Sequence, residues 1–271
     1  MNGTPLELEE IKKLQLGILS DVAEFCERNG LRYYLAYGTL LGAVRHKGYI
    51  PWDDDIDIMM PRPDYMKFME TYGGKDSRYK GAFMQKTPEF WHIYGKVYDT
   101  ATIRHTPRSF PGGWGVCIDI FPLEGIPKHF LSVRLPIIRT LGKVILIRQW
   151  RMVSDKNLFV KTVCRMIVNL PFGVIRLAQK IVDRMMKASS YDESGKVGIL
   201  CMLTKRRWGR IFDKTLFEES VPMEFEGRLY SVPKRYDELL KDLYGDYMTL
   251  PPESERILKH NALPTFWRDA D

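Results

Sequence analysis

The stretch YGTLLGAVRHKGYIPWDDDIDIMM (Tyr37–Met60) decides how this chain is interpreted, because it places several acids in what otherwise reads as a buried strand. The acids are Asp53, Asp54, Asp55 and Asp57. Charge is costly inside an apolar environment unless a partner compensates it. The stretch therefore indicates either a solvated turn or a site that uses the charge.

A strand beginning at Trp52 would place alternate residues on one face, because side chains two apart point the same way. The acids on that face would be Asp53, Asp55 and Asp57, opposite the buried Ile56 and Ile58. Ionised carboxylates so arranged repel one another, and a divalent cation between them removes the cost. Oxygen ligands alone favour Mg²⁺ or Mn²⁺ over zinc.

A second strand pattern, VCIDIF (116–121), carries one acid, Asp119, between two isoleucines. Three carboxylates on neighbouring strands can hold one or two Mg²⁺, and one oxygen can accept a proton from an attacking hydroxyl. The set predicted to do this is Asp55, Asp57 and Asp119. The plainer interpretation, a solvated turn entering an edge strand, does not explain the alternation with isoleucine or its repetition at Asp119.

Gly38 and Thr39 lie at a corner between a predicted strand and a predicted helix. A glycine and a hydroxyl residue at such a corner bring backbone N–H groups against a phosphate. Glycine is also common at such corners for steric reasons alone. The paired acids that follow favour the interpretation of this corner as a phosphate-binding turn.

The order of predicted elements indicates an α+β fold with a mixed β-sheet core flanked by helices. Expected helices are 6–29, the first turns after Gly38, 62–72 and 234–245. Expected strands are 31–37, 56–60, 82–86, 91–99, 101–105 and 116–121, with a loop at 111–113 and a hairpin in FEGRLYSVP (225–233). The Glu226 and Arg228 side chains of the hairpin are interpreted as a surface ion pair.

Size and composition fit a globular protein of one large or two small domains, with 271 residues of which 45% are hydrophobic. The four cysteines form no CxxC pair, so neither a disulfide framework nor a zinc site is expected. The polar N-terminus is unlike a secretory signal, and no apolar run of about 18 residues predicts a spanning helix. The expected location is the cytoplasm, with attachment to the inner face of the membrane left open.

The positive charge is concentrated in one segment. Residues 128–187 contain 13 Lys and Arg against 2 Asp, a net charge of 13 − 2 = +11, whereas the whole chain is +7. Basic helices with a broad apolar side in 130–187 can lie on an anionic membrane surface. They can equally form a helical subdomain with a solvated basic rim. Nucleic acid is not expected, because aromatic residues for base stacking are sparse among these charges.

Four stretches of the chain resemble the LicD family, which includes fukutin and fukutin-related protein and lies in the polymerase-β-like nucleotidyltransferase superfamily. They are residues 37–61, 96–102, 116–127 and 223–252. The resemblance implies a nucleotidyltransferase-like catalytic core in 1–127 and a C-terminal part, 206–271, that packs back on the core. The segment between them, 128–205, matches no part of the family pattern, and its apolar and basic residues predict a basic helical insert. The resemblance also implies Mg²⁺-dependent transfer of a phosphorylated head group from a CDP-linked donor to a sugar hydroxyl. Acceptors would be cell-surface glycans or glycolipids, such as lipopolysaccharide or teichoic acid.

By the same resemblance, the three acids predicted above bind the metal, with Asp119 as the third ligand or as the base. Gly38 and Thr39 would line the donor phosphates, and Lys96 would neutralise phosphate charge. Arg45 and His46 would reach the donor or the acceptor. Lys96 is also consistent with an ordinary strand-edge lysine, and Arg45 and His46 with a solvated helix face. The head group can be choline, ethanolamine, ribitol or glycerol.

Two other functions fit part of the pattern. An Asp-X-Asp pair also holds Mn²⁺ in glycosyltransferases that use nucleotide-sugars, but such enzymes would have several strands before the acids. A non-catalytic adaptor that binds glycan or lipid would have no need for the intact acids.

Overall fold

The computed structural model of the chain describes residues 4–74, 76–87, 90, 92–104, 114–129, 131–150, 157–202, 211–258 and 264–268. Parts of three predictions lie outside these residues. They are the start of strand 91–99, the end of strand 101–105 and the loop 111–113.

The described residues contain seven α-helices. They are α1 (Leu8–Asn29), α2 (Tyr37–His46), α3 (Arg62–Thr71), α4 (Leu131–Trp150), α5 (Leu158–Val168), α6 (Phe172–Met186) and α7 (Tyr236–Tyr244). Helix α1 ends at Gly30, whose φ of 62° is the left-handed conformation that glycine adopts without strain. The predicted helices at 6–29, after Gly38 and at 62–72 are confirmed to within two residues.

Eleven strands occur in the same residues. They are β1 (Tyr34–Leu35), β2 (Asp57–Pro61), β3 (Tyr79–Ala82), β4 (Gly95–Asp99), β5 (Thr102–Arg104), β6 (Cys117–Gly125), β7 (Lys196–Gly198), β8 (Ile211–Asp213), β9 (Ser220–Phe225), β10 (Arg228–Pro233) and β11 (Thr265–Trp267). The main sheet has the order β1-β2-β6-β4-β3, with β7 on β6 and β8 on β7. Strands β2 and β6 are parallel and the other pairs antiparallel. This mixed sheet with its helices confirms the α+β prediction.

Several predicted strands differ in position. The strand expected at 56–60 is confirmed to within one residue as β2, so Asp53 and Asp55 precede it rather than share its face, and the strand expected at 31–37 is only two residues long. The strand expected at 82–86 lies at Tyr79–Ala82, because the N–H groups of Lys86 and Thr87 donate to the Phe83 carbonyl in a turn. Strand β5 is outside the main sheet and pairs with β11.

The core lies between the main sheet and the helices packed on it. Ile58 of β2 and Ile120 of β6 are fully buried, as are Ile18 and Val22 of α1. All four belong to one continuous apolar cluster, and burying each such side chain contributes about 1.5–3 kcal/mol. The core therefore fixes the two parallel strands against α1.

The helical segment is attached to the sheet at several points. Helix α4 packs on both α5 and α6. On α6, Gln179 Nε2 donates to the Phe90 carbonyl at 2.9 Å and Arg176 Nη1 to the Met84 carbonyl at 2.8 Å. Strand β7, which follows α6, pairs with the end of β6. A strand of the main sheet thus lies inside the segment 128–205, which was predicted to be a helical insert.

A buried ion pair locks the far end of β6. Arg62, at the start of α3, donates Nε to Glu124 Oε2 at 2.8 Å, and Glu124 is fully buried. Arg62 Nη1 also lies 3.9 Å from Asp183 Oδ1 of α6. One guanidinium therefore joins β6, α3 and α6.

Candidate active site

Three charged side chains form a row across the middle of the main sheet. Asp57 is the register partner of Asp119 in the parallel β2–β6 pair, and Lys96 is the register partner of Asp119 in the antiparallel β4–β6 pair. Directly opposite residues on neighbouring strands point to the same face. Asp57, Asp119 and Lys96 therefore stand side by side, and we call them the charged row.

The first turn of α2 holds the first residue of β2. Thr39 Oγ1 accepts the Asp57 N–H at 2.9 Å, and the Ala36 N–H donates to the Asp57 carbonyl at 2.9 Å. Thr39 is only 3% exposed. The hydroxyl that was predicted to line donor phosphates thus contacts the backbone of the charged row and positions Asp57.

The corner before α2 is shaped around an acid. Tyr37 has φ 43°, a left-handed value that is unusual for a residue with a side chain, and its ring packs edge-on against Phe121. A β-carbon at Gly38 would overlap Asp53 Oδ2. The Asp53 carboxylate therefore lies against the N-terminal turn of α2, where the helix dipole favours negative charge. Gly38 makes room for this carboxylate.

The acids before β2 form a compact loop. Carboxylate oxygens of Asp53, Asp54 and Asp55 all lie within 4.8 Å of one another, and Asp54 is buried. We call these three residues the acidic loop. Asp53, which was not among the predicted ligands, thus has a carboxylate oxygen within 4.8 Å of one of Asp55.

A buried glutamine in α1 fixes the acidic loop to β6. Gln15 is 3% exposed, and its Nε2 donates to the Asp54 carbonyl at 3.0 Å and to the Cys117 carbonyl at 3.4 Å. Its Oε1 accepts from the Tyr49 hydroxyl at 3.0 Å. Sequence reasoning missed this residue. The available signal was a polar side chain within the apolar stripe of α1.

Negative charge is crowded around Asp57. Burial raises the pKa of Asp57 well above its usual value, and Asp55, Asp119 and Asp53 raise it further, while Lys96 lowers it. Each of these neighbours adds repulsion when Asp57 ionises. The chemistry of this oxygen-only set fits a hard divalent cation such as Mg²⁺ or Mn²⁺.

Lys96 is held inside the sheet rather than at its edge. Its side chain is 14% exposed and forms an ion pair with Asp119, and β4 lies between β6 and β3. Burial lowers the pKa of Lys96, but attraction to Asp119, then to Cys117 and Tyr94, outweighs it and leaves the pKa well above the usual value. The strand-edge interpretation is therefore wrong, and Lys96 stays protonated beside Asp119.

Arg45 and His46 do not form a solvated helix face. Arg45 Nη1 donates to the Tyr247 carbonyl at 2.7 Å, the His46 ring lies 6.3 Å from the Trp52 ring, and Arg256 lies 5.5 Å from the same ring. Burial lowers the pKa of Arg45, which Tyr244 raises and Arg256 lowers, and burial followed by Arg45 lowers the pKa of His46. We call Arg45, His46 and Arg256 the basic cluster.

The basic cluster is linked to the acidic loop through Trp52, whose ring contacts His46 and Arg256 and which precedes Asp53 in the chain. Within the described residues, neither Arg45 nor Arg256 has a carboxylate at ion-pair distance; Arg256 Nε donates to the Pro251 carbonyl at 2.9 Å. Positive charge with free donor capacity thus lies next to the surplus of negative charge. The C-terminal part supplies Arg256, which sequence reasoning did not select.

The predicted hairpin exists as β9 and β10, but its ion pair does not. Glu226 Oε1 accepts the Tyr49 N–H at 3.0 Å, and Arg228 Nη2 pairs with Glu24 of α1 at 2.7 Å. The Glu226 N–H donates to the Lys47 carbonyl at 2.8 Å. The tip of the hairpin therefore clamps the loop that leads from α2 to the acidic loop.

Comparison with known proteins agrees with this arrangement. Residues 30–134 match the family model described as LicD/FKTN/FKRP, nucleotidyltransferase domain. The chain is 29% identical over 269 residues to the lipopolysaccharide cholinephosphotransferase LicD of Haemophilus influenzae, an alignment covering 94% of this chain and 96% of that protein. Human and mouse ribitol 5-phosphate transferase FKRP are 43% identical over 51 residues, 19% of this chain and 9% of theirs. The acidic loop and charged row lie inside the matched residues, so 30–134 are identified as a nucleotidyltransferase domain of the LicD/FKTN/FKRP type, in a chain similar to LicD over most of its length.

Proposed function

We propose that this protein transfers a phosphorylated head group from a CDP-linked donor to a sugar hydroxyl of a glycan, with Mg²⁺ or Mn²⁺ as cofactor. The observation that carries the proposal is the charged row, in which two acids from parallel strands stand beside a lysine. The acidic loop next to it adds the charge that a divalent cation needs.

The names of the relatives support the reaction class. One is a cholinephosphotransferase of lipopolysaccharide and another a ribitol 5-phosphate transferase. Both names describe the transfer of a phosphate-containing head group. The glycosyltransferase alternative is less well supported, because only α1, β1 and α2 precede the acids in the described residues.

Asp55, Asp57 and Asp119 are the proposed ligands of the cation, with Asp53 close enough to join them. A bound cation would neutralise donor phosphate oxygens and the charge of the departing CMP. Thr39 holds Asp57 in place through its backbone N–H. Lys96 forms an ion pair with Asp119 and holds it beside Asp57, where Asp119 is proposed as a ligand or a proton acceptor.

The transfer itself needs one bond to form and one to break. The acceptor hydroxyl oxygen attacks the phosphorus that carries the head group, the bond from that phosphorus to CMP breaks, and the hydroxyl proton passes to a carboxylate. Arg45 and Arg256 are placed to bind donor phosphate oxygens. Such reactions depend mainly on positioning and charge neutralisation, which rigid, oppositely charged groups provide.

A donor screen tests the proposal. Purified protein with Mg²⁺ is given CDP-choline, CDP-ethanolamine, CDP-ribitol, CDP-glycerol or nucleotide-sugars, with and without glycolipid acceptor, and CMP release and product mass are measured. We expect acceptor-stimulated CMP release from at least one CDP donor, and loss of release in Asp57→Asn. The matched control is Asp76→Asn, an exposed acid outside the site.

Three outcomes of these experiments would contradict the proposal. Equal release by Asp57→Asn and wild type removes the role of that carboxylate. A product heavier by an unphosphorylated sugar favours the glycosyltransferase. Absence of Mg²⁺-dependent nucleotide binding in calorimetry favours a non-catalytic adaptor.

A further inference from the structure

Helices α4–α6 expose an unusual amount of apolar surface. Of the seventeen large apolar side chains with substantial exposure in the described residues, ten lie in these three helices. Exposed apolar residues scattered singly need no explanation, but a concentration of them indicates an interaction surface. This concentration lies outside the candidate active site.

The exposed residues follow helical spacing. Phe159, Val163 and Met166 of α5 are separated by four and three residues, and Val174, Leu177 and Ile181 of α6 by three and four. Residues so spaced lie on one side of a helix. The exposed fractions include 78% for Phe159 and 59% for Leu177. We call the two sets the apolar stripes.

A second side of each of these helices is already covered. Cys164 of α5 and Ile175, Ala178 and Val182 of α6 are buried, and both helices pack on α4. Each helix is therefore apolar on two sides, of which the fold covers one. The apolar stripes are not buried in the core.

The geometry favours lying along a membrane over crossing it. Among the described helices none is by itself long and apolar enough to span a bilayer; Leu158–Val168 and Phe172–Met186 pass such a test only together, and they are bent by 94°. The longer of the two has 15 residues and measures about 22 Å, less than the ~30 Å hydrocarbon core.

Charge decides between possible occupants of this surface. The segment 128–187 carries 13 basic residues and 2 acids, a net charge of +11. Arg165, Lys180 and Arg184 are exposed beside the apolar stripes. A second copy of the chain meeting this face would bring the exposed Arg165, Lys180 and Arg184 towards the same three residues, which disfavours self-association through it. An anionic bilayer offers phosphates to the basic residues and an apolar layer to the stripes.

We propose that α5 and α6 form a docking surface for anionic membrane lipid. The apolar stripes enter the boundary between head groups and acyl chains, and Arg165, Lys180 and Arg184 meet the lipid phosphates. The proposal is independent of the transfer reaction, since none of these residues touches the candidate active site.

Vesicle sedimentation of the full chain tests the proposal. The probes are vesicles of phosphatidylcholine alone and of phosphatidylcholine mixed with phosphatidylglycerol, at low and high salt. We expect binding to the mixed vesicles that weakens with salt, and little binding to phosphatidylcholine. Phe159→Ser with Leu177→Ser should weaken binding at least about tenfold, since each residue inserts apolar area. Lys180→Glu with Arg184→Glu should weaken it by a similar factor.

Matched controls separate docking from general stickiness. Leu229→Ser removes a leucine of the hairpin that is 60% exposed, close to the 59% of Leu177. Lys13→Glu changes an exposed lysine on α1. Both should bind as wild type does, and circular dichroism should show all variants folded. CMP release with a soluble acceptor should be unchanged in the stripe variants, so failure of docking and failure of the transfer reaction are distinguishable.

Three results overturn the inference. The first is wild-type protein that stays in solution with phosphatidylglycerol vesicles, and the second is stripe variants that bind these vesicles as well as wild type does. The third is a wild-type dimer in light scattering that the stripe variants abolish, which would show that a second copy covers this face.

Discussion

Replacing Asp57 by asparagine removes one charge from the most crowded part of the site while keeping the shape of the side chain. In the folded protein this carboxylate is buried among Asp55, Asp119 and Asp53, and burial followed by their charges raises its pKa well above the usual value for an aspartate. The folded state therefore binds this proton more tightly than the unfolded state does. Stability falls as the pH rises through the interval from about 4 to the raised pKa.

The size of the effect follows from strand geometry. Register partners on neighbouring strands stand about 5 Å apart. Two carboxylates at that distance repel by about 3 kcal/mol at an effective dielectric constant of ~20. Lys96 offsets part of this through its ion pair with Asp119. We expect metal-free Asp57→Asn to be about 1–3 kcal/mol more stable at neutral pH, a rise in Tm of about 2–8 °C.

Thermal unfolding in EDTA and in Mg²⁺ measures this. The variant should unfold above wild type in EDTA, the gap should shrink in acid, and Mg²⁺ should stabilise wild type more than the variant. Transfer activity should fall at least about a thousandfold, since a ligand of the phosphoryl-transfer site is lost. Asp76→Asn should match wild type throughout. Lower stability of Asp57→Asn in EDTA would refute the reasoning, because it would show that the carboxylate is a structural partner.

Three further changes test other contacts of the site. Lys96→Met leaves Asp119 without its partner and should cost about 3 kcal/mol in urea unfolding as well as activity; a stable, active variant contradicts the charged row. Gln15→Leu leaves two buried carbonyls without a donor and should cost about 1–3 kcal/mol in the same assay; no change would mean that the acidic loop does not depend on α1. Arg256→Gln should raise the KM for the donor about tenfold with Tm unchanged, and an unchanged KM excludes Arg256 from the donor site.

The local pattern predicted the identity of the elements better than their ends. Isoleucine alternation identified both acid-bearing strands, and β2 begins within one residue of the expected 56–60, but Asp53 and Asp55 lie before the strand rather than on a face shared with Asp57. The preceding acids are held by contacts that are distant in the chain: Asp53 lies against Gly38, and the carbonyl of Asp54 accepts from Gln15. Such long-range contacts override strand periodicity and leave no trace in a local window.

The register of the paired strands could not be predicted from the sequence either. The pattern placed Lys96 in a strand near the acids, but only the pairing of β4 with β6 places it opposite Asp119. Arg256 was missed for a similar reason, since it reaches Trp52 from the far end of the chain. A lone arginine in a polar stretch carries no signal of its own.

The attachment of α6 to the sheet has a consequence for how a substrate is found. Helix α6 donates hydrogen bonds from Gln179 and Arg176, and its Asp183 lies near Arg62. These contacts restrict rotation of α6 relative to β6. A protein resting on a bilayer through α6 would hold its reactive groups at a constant height and tilt above the lipid. An acceptor carried on a lipid would then meet them by diffusing in a plane, and the length of its glycan would decide which sugar is modified.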